Sequence, residues 1–262
     1  MQIVLFPLYS GKEKEYNGSK RTGTGLGGGD AVFATVINVL LVVLGSILGL
    51  KFKHWIRPRY MESVKAVLGL CVAGIGISGM TAAEDMLCVI VCLVVGTVLG
   101  EAVDIEQRLE GLGNWVRKRF IRDGSSRFTE GFVTASLLYC VGAMAITGSI
   151  EAGLHQQYAT ILSKGVIDGI TSISFAAAMG IGVAFSALPI LLYQGSITLL
   201  ATWVGPWLSP EVIHGMSATG GALILALALN LLELSPQRLR VGNMLPAIFL
   251  PIAYVPLAAW FL

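Results

Sequence analysis

The stretch Gly165–Trp207 reads GVIDGITSISFAAAMGIGVAFSALPILLYQGSITLLATWVGPW. It is apolar enough to lie in a bilayer, and Asp168 is the only charged residue between Lys164 and Pro206. Hydropathy alone fits one long tilted helix, two ordinary spans or a re-entrant hairpin. The stretch also carries Thr171, Ser172, Ser174, Ser186, Tyr193, Gln194, Ser196 and Thr198, with Pro189 where one span should give way to the next. A path across the membrane is expected to run here.

Charges elsewhere choose among the three. Lys51, Lys53, Arg57 and Arg59 follow the first apolar run, and Arg108, Arg117, Lys118, Arg119, Arg122 and Arg127 follow the third. Both loops should be cytoplasmic, because basic residues resist translocation. Only Glu84 and Asp85 follow the second run, Lys164 stands alone after the fourth, and no Lys or Arg separates the sixth from the seventh. Arg238 and Arg240 then reach the cytoplasmic side only if residues 165–207 cross twice or turn back. The pattern predicts an all-α, polytopic membrane bundle of about eight helices at 31–50, 62–80, 86–103, 130–149, 163–184, 187–207, 213–234 and 241–261, with both ends outside. Lys12, Lys14, Lys20 and Arg21 in the tail oppose that orientation.

Composition agrees with the class. The 262 residues are 55% hydrophobic and 13% charged, with mean hydropathy +0.75, whereas soluble domains are about 25% charged. Residues 1–29 are expected to form a disordered extension, because the patch IVLFPLY is too short to span and lacks a basic leader region. The remainder, 30–262, reads as one integral membrane domain. Within it, 101–128 forms a cytoplasmic linker whose Ile105, Leu109, Leu112, Val116 and Phe120 recur at helical spacing. Trp115 and Arg117–Arg119 would hold that linker at anionic headgroups.

Cys71, Cys88, Cys92 and Cys140 all lie in apolar runs and read as free thiols packed like small apolar residues. Cys88 and Cys92 share a helix face, but no histidine stands near them, so no metal is expected. His54, His155 and His214 lie outside the apolar runs. The sequence has no phosphate-binding loop, zinc-binding His pair, G-x-S-x-G or dinucleotide fingerprint, and no second intramembrane Asp for a membrane protease. Neither enzymatic activity, a cofactor nor nucleic acid is expected.

LVVLGSILG at 41–49 matches LLYQGSITL at 191–199, and the alignment continues to set Gly69 against Gly221. The first three and last three helices would then be an inverted pair, as in many secondary transporters. G-x-x-x-G spacings at Gly45/Gly49, Gly96/Gly100 and Gly165/Gly169 predict close helix packing within the subunit, or alternatively a homo-oligomer contact.

Asp168 is the leading site candidate. A carboxylate at a helix centre costs about 2.5 to 3.5 kcal/mol on insertion scales, so it faces a partner or a wet cavity. Thr171 and Ser172 follow on the same face, a set of oxygens suited to a partly dehydrated cation. The competing reading is an interfacial Asp paired with Lys164. Tyr193, Gln194 and Ser196, with Asn38 and Asn230 on other helices, complete the candidate polar lining. Taken singly, the amides are better explained as interhelical hydrogen bonds than as ligands; as a set they point to a polar interior. Pro246, Pro251 and Pro256 should weaken or bend the last helix.

The segments INVLLVVLGSILG, GEAVDIEQRLEGLG, EGFVTASLLYCVGAMAITGSI, VIDGITSISFAAAMGIGVAFSALPILLYQGSITLLA and RVGNMLPA closely resemble the YqgA/YdfK-like family of bacterial integral membrane proteins, a domain of unknown function (DUF554). The resemblance runs from about Val32 to the end. It implies a multi-pass protein of the bacterial inner membrane and brings no established activity. The residues themselves lead to a small transporter or channel for a monovalent cation or small polar solute, working as a homo-oligomer. The alternative is a non-transporting scaffold or sensor acting through 101–128.

Overall fold

The computed structural model describes residues 29–53, 58–81, 83–120 and 127–261. The tail expected to be disordered therefore lies, apart from Gly29, outside the described residues. Helix α1, Gly29–Lys53, ends in Lys51 and Lys53, and α2 follows as Pro58–Met80. Helix α3, Met86–Val103, is started by Asp85, whose carboxylate accepts from the backbone N–H of Leu87 at 2.8 Å and Cys88 at 3.2 Å. It stops at Asp104, which adopts a left-handed φ of 53°. The linker forms α4, Ile105–Phe120.

The fourth span departs from the expectation. It consists of α5, Phe128–Val141, and α6, Ala143–His155, bent by 57°. Gly142 between them is extended, with φ −65° and ψ 143°, which ends the hydrogen-bonded ladder at mid-depth. Helix α7, Ala159–Met179, ends sooner than the expected 184, because Gly180 takes φ 87°, open to glycine at little cost, and reverses the chain. Short α8, Gly182–Phe185, leads into α9, Ala187–Leu199, so residues 159–199 cross twice. Pro189 marks no boundary; it occupies the first turn of α9, where a missing N–H costs nothing. A short α10, Ala201–Val204, and a tight turn, Gly205–Trp207, precede α11, Pro210–Leu231. The last span is a 3-10 segment, Val241–Ile248, bent by 44° from α12, Pro251–Phe261. Pro246 and Pro251, as expected, prevent one continuous helix here.

Six described helices are long and apolar enough to cross a membrane, and eight spans result if each bent pair is one. Side-chain ties sort their ends into two faces. On one, Lys65 bridges Glu130 at 3.3 Å and Glu233 at 3.0 Å, and Arg240 meets Glu101 at 3.0 Å. On the other, His214 meets Glu84 at 2.9 Å. The helix ends that flank the basic loops thus share one face. Leu87, Ile90, Val94 and Val98 of α3 are exposed, which is how a lipid-facing surface looks without lipid.

Small residues set the packing. Helices α1 and α7 lie so close that a methyl group on Gly45 would collide with the backbone carbonyl of Gly169. Gly96 and Gly100 similarly admit Ala247 and Asn243 of the 3-10 segment. The three G-x-x-x-G pairs are used inside the chain. Helix α4 corrects the expected membrane-surface stripe: Val116 is buried and Leu109 packs on the core, while Leu112 and Trp115 stay exposed. Glu106 fastens this helix to the bundle. Its carboxylate accepts from the Gly242 N–H at 2.5 Å, and its own N–H donates to Asn243 Oδ1 at 2.7 Å.

Two predictions follow from this packing. Gly45→Ala should lower stability by about 1 to 3 kcal/mol through overpacking, while Gly74→Ala, with open space around it, should change little, as read by thermal melts in detergent. Burial pushes the Glu106 carboxyl above its usual value of 4.5, against the opposing pull of the Gly242 N–H and Arg238. The folded state therefore holds that proton more tightly than the unfolded chain. The stability from this group is full below the unfolded value and declines as pH rises toward the folded one. Glu106→Gln should flatten that decline in melts taken across the acid range.

A candidate intramembrane ion-pair site

Asp168 is the tenth of the 21 residues of α7, so it lies near the middle of a span. Lys164 stands one turn before it, not in a loop as its isolation in the sequence suggested. The two side chains are ion-paired and hydrogen-bonded, with the residues only 5% and 6% exposed. The i, i+4 spacing puts both on the inner face of α7.

Three other helices close around the pair. Gly165 has no side chain, so Asn38 of α1 lies directly against α7. Asn38 Nδ2 donates to Gln194 Oε1 of α9 at 3.0 Å, and Asn38 also interacts with Asp168. From α5, the Tyr139 hydroxyl is 2.9 Å from Ser172 Oγ, and the Lys164 ammonium lies 5.9 Å from the centre of the Tyr139 ring. That distance allows cation–π attraction. Asn38, Ser172 and Gln194 are fully buried.

A pair in this position is costly to build. Each charge loses its hydration, and their mutual attraction offsets that loss only with good geometry and further hydrogen bonds. Removing one member leaves the other bare in a medium of low dielectric constant. Several polar atoms nearby remain open: Thr35 Oγ1, Asn38 Oδ1, Gln194 Nε2 and Thr198 Oγ1 have no hydrogen-bond partner among the described residues. Buried orphans of this kind are uncommon and call for water, a ligand or movement.

The structure brings Asp168, Ser172, Asn38 and Gln194 together. The other expected residues are engaged elsewhere. Thr171 donates its hydroxyl to the backbone of its own helix, at Ile167 and Asp168. Ser196 is exposed and donates to the Leu192 carbonyl. Asn230 clamps the Leu239 backbone with two bonds of 2.8 Å. Tyr193 faces a separate cavity beside Phe249, with ring centroids 6.4 Å apart. Tyr139 was missed as a site residue, and Lys164 entered only through the competing reading of a paired Asp. The available signal was the Lys–Asp spacing within one apolar run. No group of three or more His, Cys, Asp and Glu able to hold a metal occurs among the described residues.

The fold and this cluster define a multi-pass helical membrane protein with a buried ion pair. The chain belongs to the family described as "Protein of unknown function (DUF554)", whose model matches residues 33–256. It is 33% identical over 224 residues to the "Uncharacterized membrane protein YdfK" of Bacillus subtilis (strain 168), covering 84% of this chain and 94% of that protein. It is 27% identical over 234 residues to the "Uncharacterized protein YqgA" of Escherichia coli (strain K12), covering 87% and 97%. No solved structure matches the chain.

Breaking the pair should cost more than removing it. Lys164→Met or Asp168→Leu alone is expected to lower stability by about 3 to 5 kcal/mol, while the double variant should come close to the original. Thermal or denaturant melts of the purified protein check this non-additivity.

Proposed function

We propose that the protein is a small secondary transporter or channel in a bacterial cytoplasmic (inner) membrane, passing a cation or small polar solute through the Lys164–Asp168 site. The observation that carries this reading is the ion pair at mid-span, surrounded by open polar atoms. An intramembrane ionisable residue usually marks a transport path or proton relay. Lys164 acts as an internal counter-ion. An incoming cation or proton competes with it for Asp168, and the displaced ammonium turns toward Tyr139. Asn38, Gln194 and Ser172 supply neutral ligands.

The surroundings support a gated path. A hollow of about 320 Å³ on the basic face is lined by Lys65, Glu130, Thr134 and Asn230, and one of about 240 Å³ on the other face by Glu84, Asp85, Glu211 and His214. The buried pair belongs to neither hollow, as in an occluded carrier. Two spans are broken, at Gly142 and at Phe249–Leu250, and interrupted spans are a recurring feature of transporter sites. Helix α2 packs on α11 and α3 on the 3-10 segment, two of the three pairs that an inverted repeat would relate, whereas α1 packs chiefly on α7 and only secondarily on α9. The free apolar faces of α2 and α3 suit a homo-oligomer. The reading gives the protein no enzymatic role.

The scaffold alternative draws on exposed Leu112 and Trp115 of α4. Against it, Glu106 and Arg238 tie that helix to the bundle, which makes it a poor free arm. Reconstituted protein should dissipate a sodium, potassium or proton gradient, or carry a polar solute, in liposomes. Asp168→Asn at equal folding should abolish that flux. Flux unchanged by the substitution would remove the ion pair from the path.

A further inference from the structure

The buried polar cluster around the ion pair, called the chamber below, has open groups of both kinds. Asn38 and Gln194 satisfy each other once and leave the Asn38 Oδ1 acceptor and Gln194 Nε2 donor without partners. Turning both amides over exchanges their roles but still leaves one acceptor and one donor. The chamber therefore offers an anion, a cation, a free acceptor and a free donor, all on residues more than nine-tenths buried. A metal ion on Asp168 would leave Lys164 only the face of the Tyr139 ring, and an inorganic anion on Lys164 would leave Asp168 without a cation. A molecule carrying both an ammonium and a carboxylate satisfies all four.

A second feature adjoins the chamber. Cys140 directly follows Tyr139, whose hydroxyl meets Ser172 and whose ring lies beneath the Lys164 ammonium. It also lines a cavity of about 290 Å³ with Leu137, Pro189, Tyr193, Ile248 and Phe249. This wall is almost entirely carbon, apart from the unpartnered Tyr193 hydroxyl. The volume lies near the lower end of the roughly 300 to 1,000 Å³ of small-molecule pockets.

We propose that the site binds a small zwitterion, a free amino acid with an apolar side chain. Its ammonium replaces Lys164 on Asp168 and bonds the Asn38 oxygen; its carboxylate takes Lys164 and the Gln194 amide; its side chain fills the Cys140–Tyr193–Phe249 cavity. The exchange is charge for charge, so neither Lys164 nor Asp168 is left bare in the membrane. The substrate class rests on the transport reading for movement across the membrane, whereas binding can be measured without it.

The test uses the full chain in lipid nanodiscs, with calorimetric titration and thermal melts against leucine, phenylalanine, glycine, N-acetyl-leucine and leucine methyl ester. Leucine and phenylalanine should bind and raise the melting temperature. Each blocked derivative, lacking one charge, should bind at least about tenfold more weakly, the size expected for a lost charge-assisted hydrogen bond. Cys140→Phe should weaken leucine binding and spare glycine. No binding by any of the amino acids, or equal binding of the blocked forms, would overturn the zwitterion proposal. Flux of inorganic ions through Asp168 without leucine binding would discard the zwitterion and keep the transporter. Leucine binding without flux of leucine or any ion would keep the site and discard transport.

Discussion

Opposite charges one turn apart in the middle of a span cannot rely on water. Lys164 and Asp168 are stable there only because three other helices close around them with polar and aromatic groups. This requirement accounts for much of the architecture nearby. Gly45 and Gly169 let α1 approach α7 closely, and Gly165 lets Asn38 reach the carboxylate. Helix α9 brings Gln194 to Asn38, and α5 sets the Tyr139 ring under the ammonium. Were the contact between α1 and α7 lost, the pair would lose Asn38 first and Gln194 with it.

A static pair of this kind would be a poor use of stability, since a well-packed apolar core of equal volume is often as stable or more so. The proposed transport would give it a use, and its setting fits one. The bend at Gly142 follows Tyr139 by three residues, and Phe249, at the other bend, packs against Tyr193. Broken spans can be rearranged with less loss of backbone hydrogen bonding than continuous ones. The same bends adjoin the apolar cavity, so a change in the pair and a change in the bends share side chains. Glu106 extends this coupling to the basic face by holding α4 to the start of the 3-10 segment.

Membrane class, a bundle of six to eight spans and the separate helix after α3 were legible in the sequence, because each rests on the gross separation of charge from apolar runs. The run of prolines from Pro246 also announced the irregular last span. The break at Gly142 was not legible: in an apolar run a glycine that packs against a neighbour looks the same as one that ends a helix. Nor was Pro189 informative, since the first turn of a helix accepts proline as readily as a boundary does. Lys164 was misplaced because a lone lysine after an apolar run ordinarily marks the water interface, and only tertiary packing buries it. Asn230 and Ser196 resembled ligands by depth alone; their hydrogen bonds depend on which way each helix is turned.

The central claim is that the pair at Lys164 and Asp168 is a working site reached from both sides of the membrane, not a fixed structural bridge. The most direct measurement places a cysteine at Ser172, fully buried beside Tyr139, in a chain whose four native cysteines are replaced. Membrane-impermeant thiol reagents are then applied separately to each side of sealed vesicles. Slow modification from either side, with rates that respond to ion or solute gradients, is the predicted result. Complete protection from both sides under every gradient, in a folded protein, would contradict the account and leave the pair as a structural element alone.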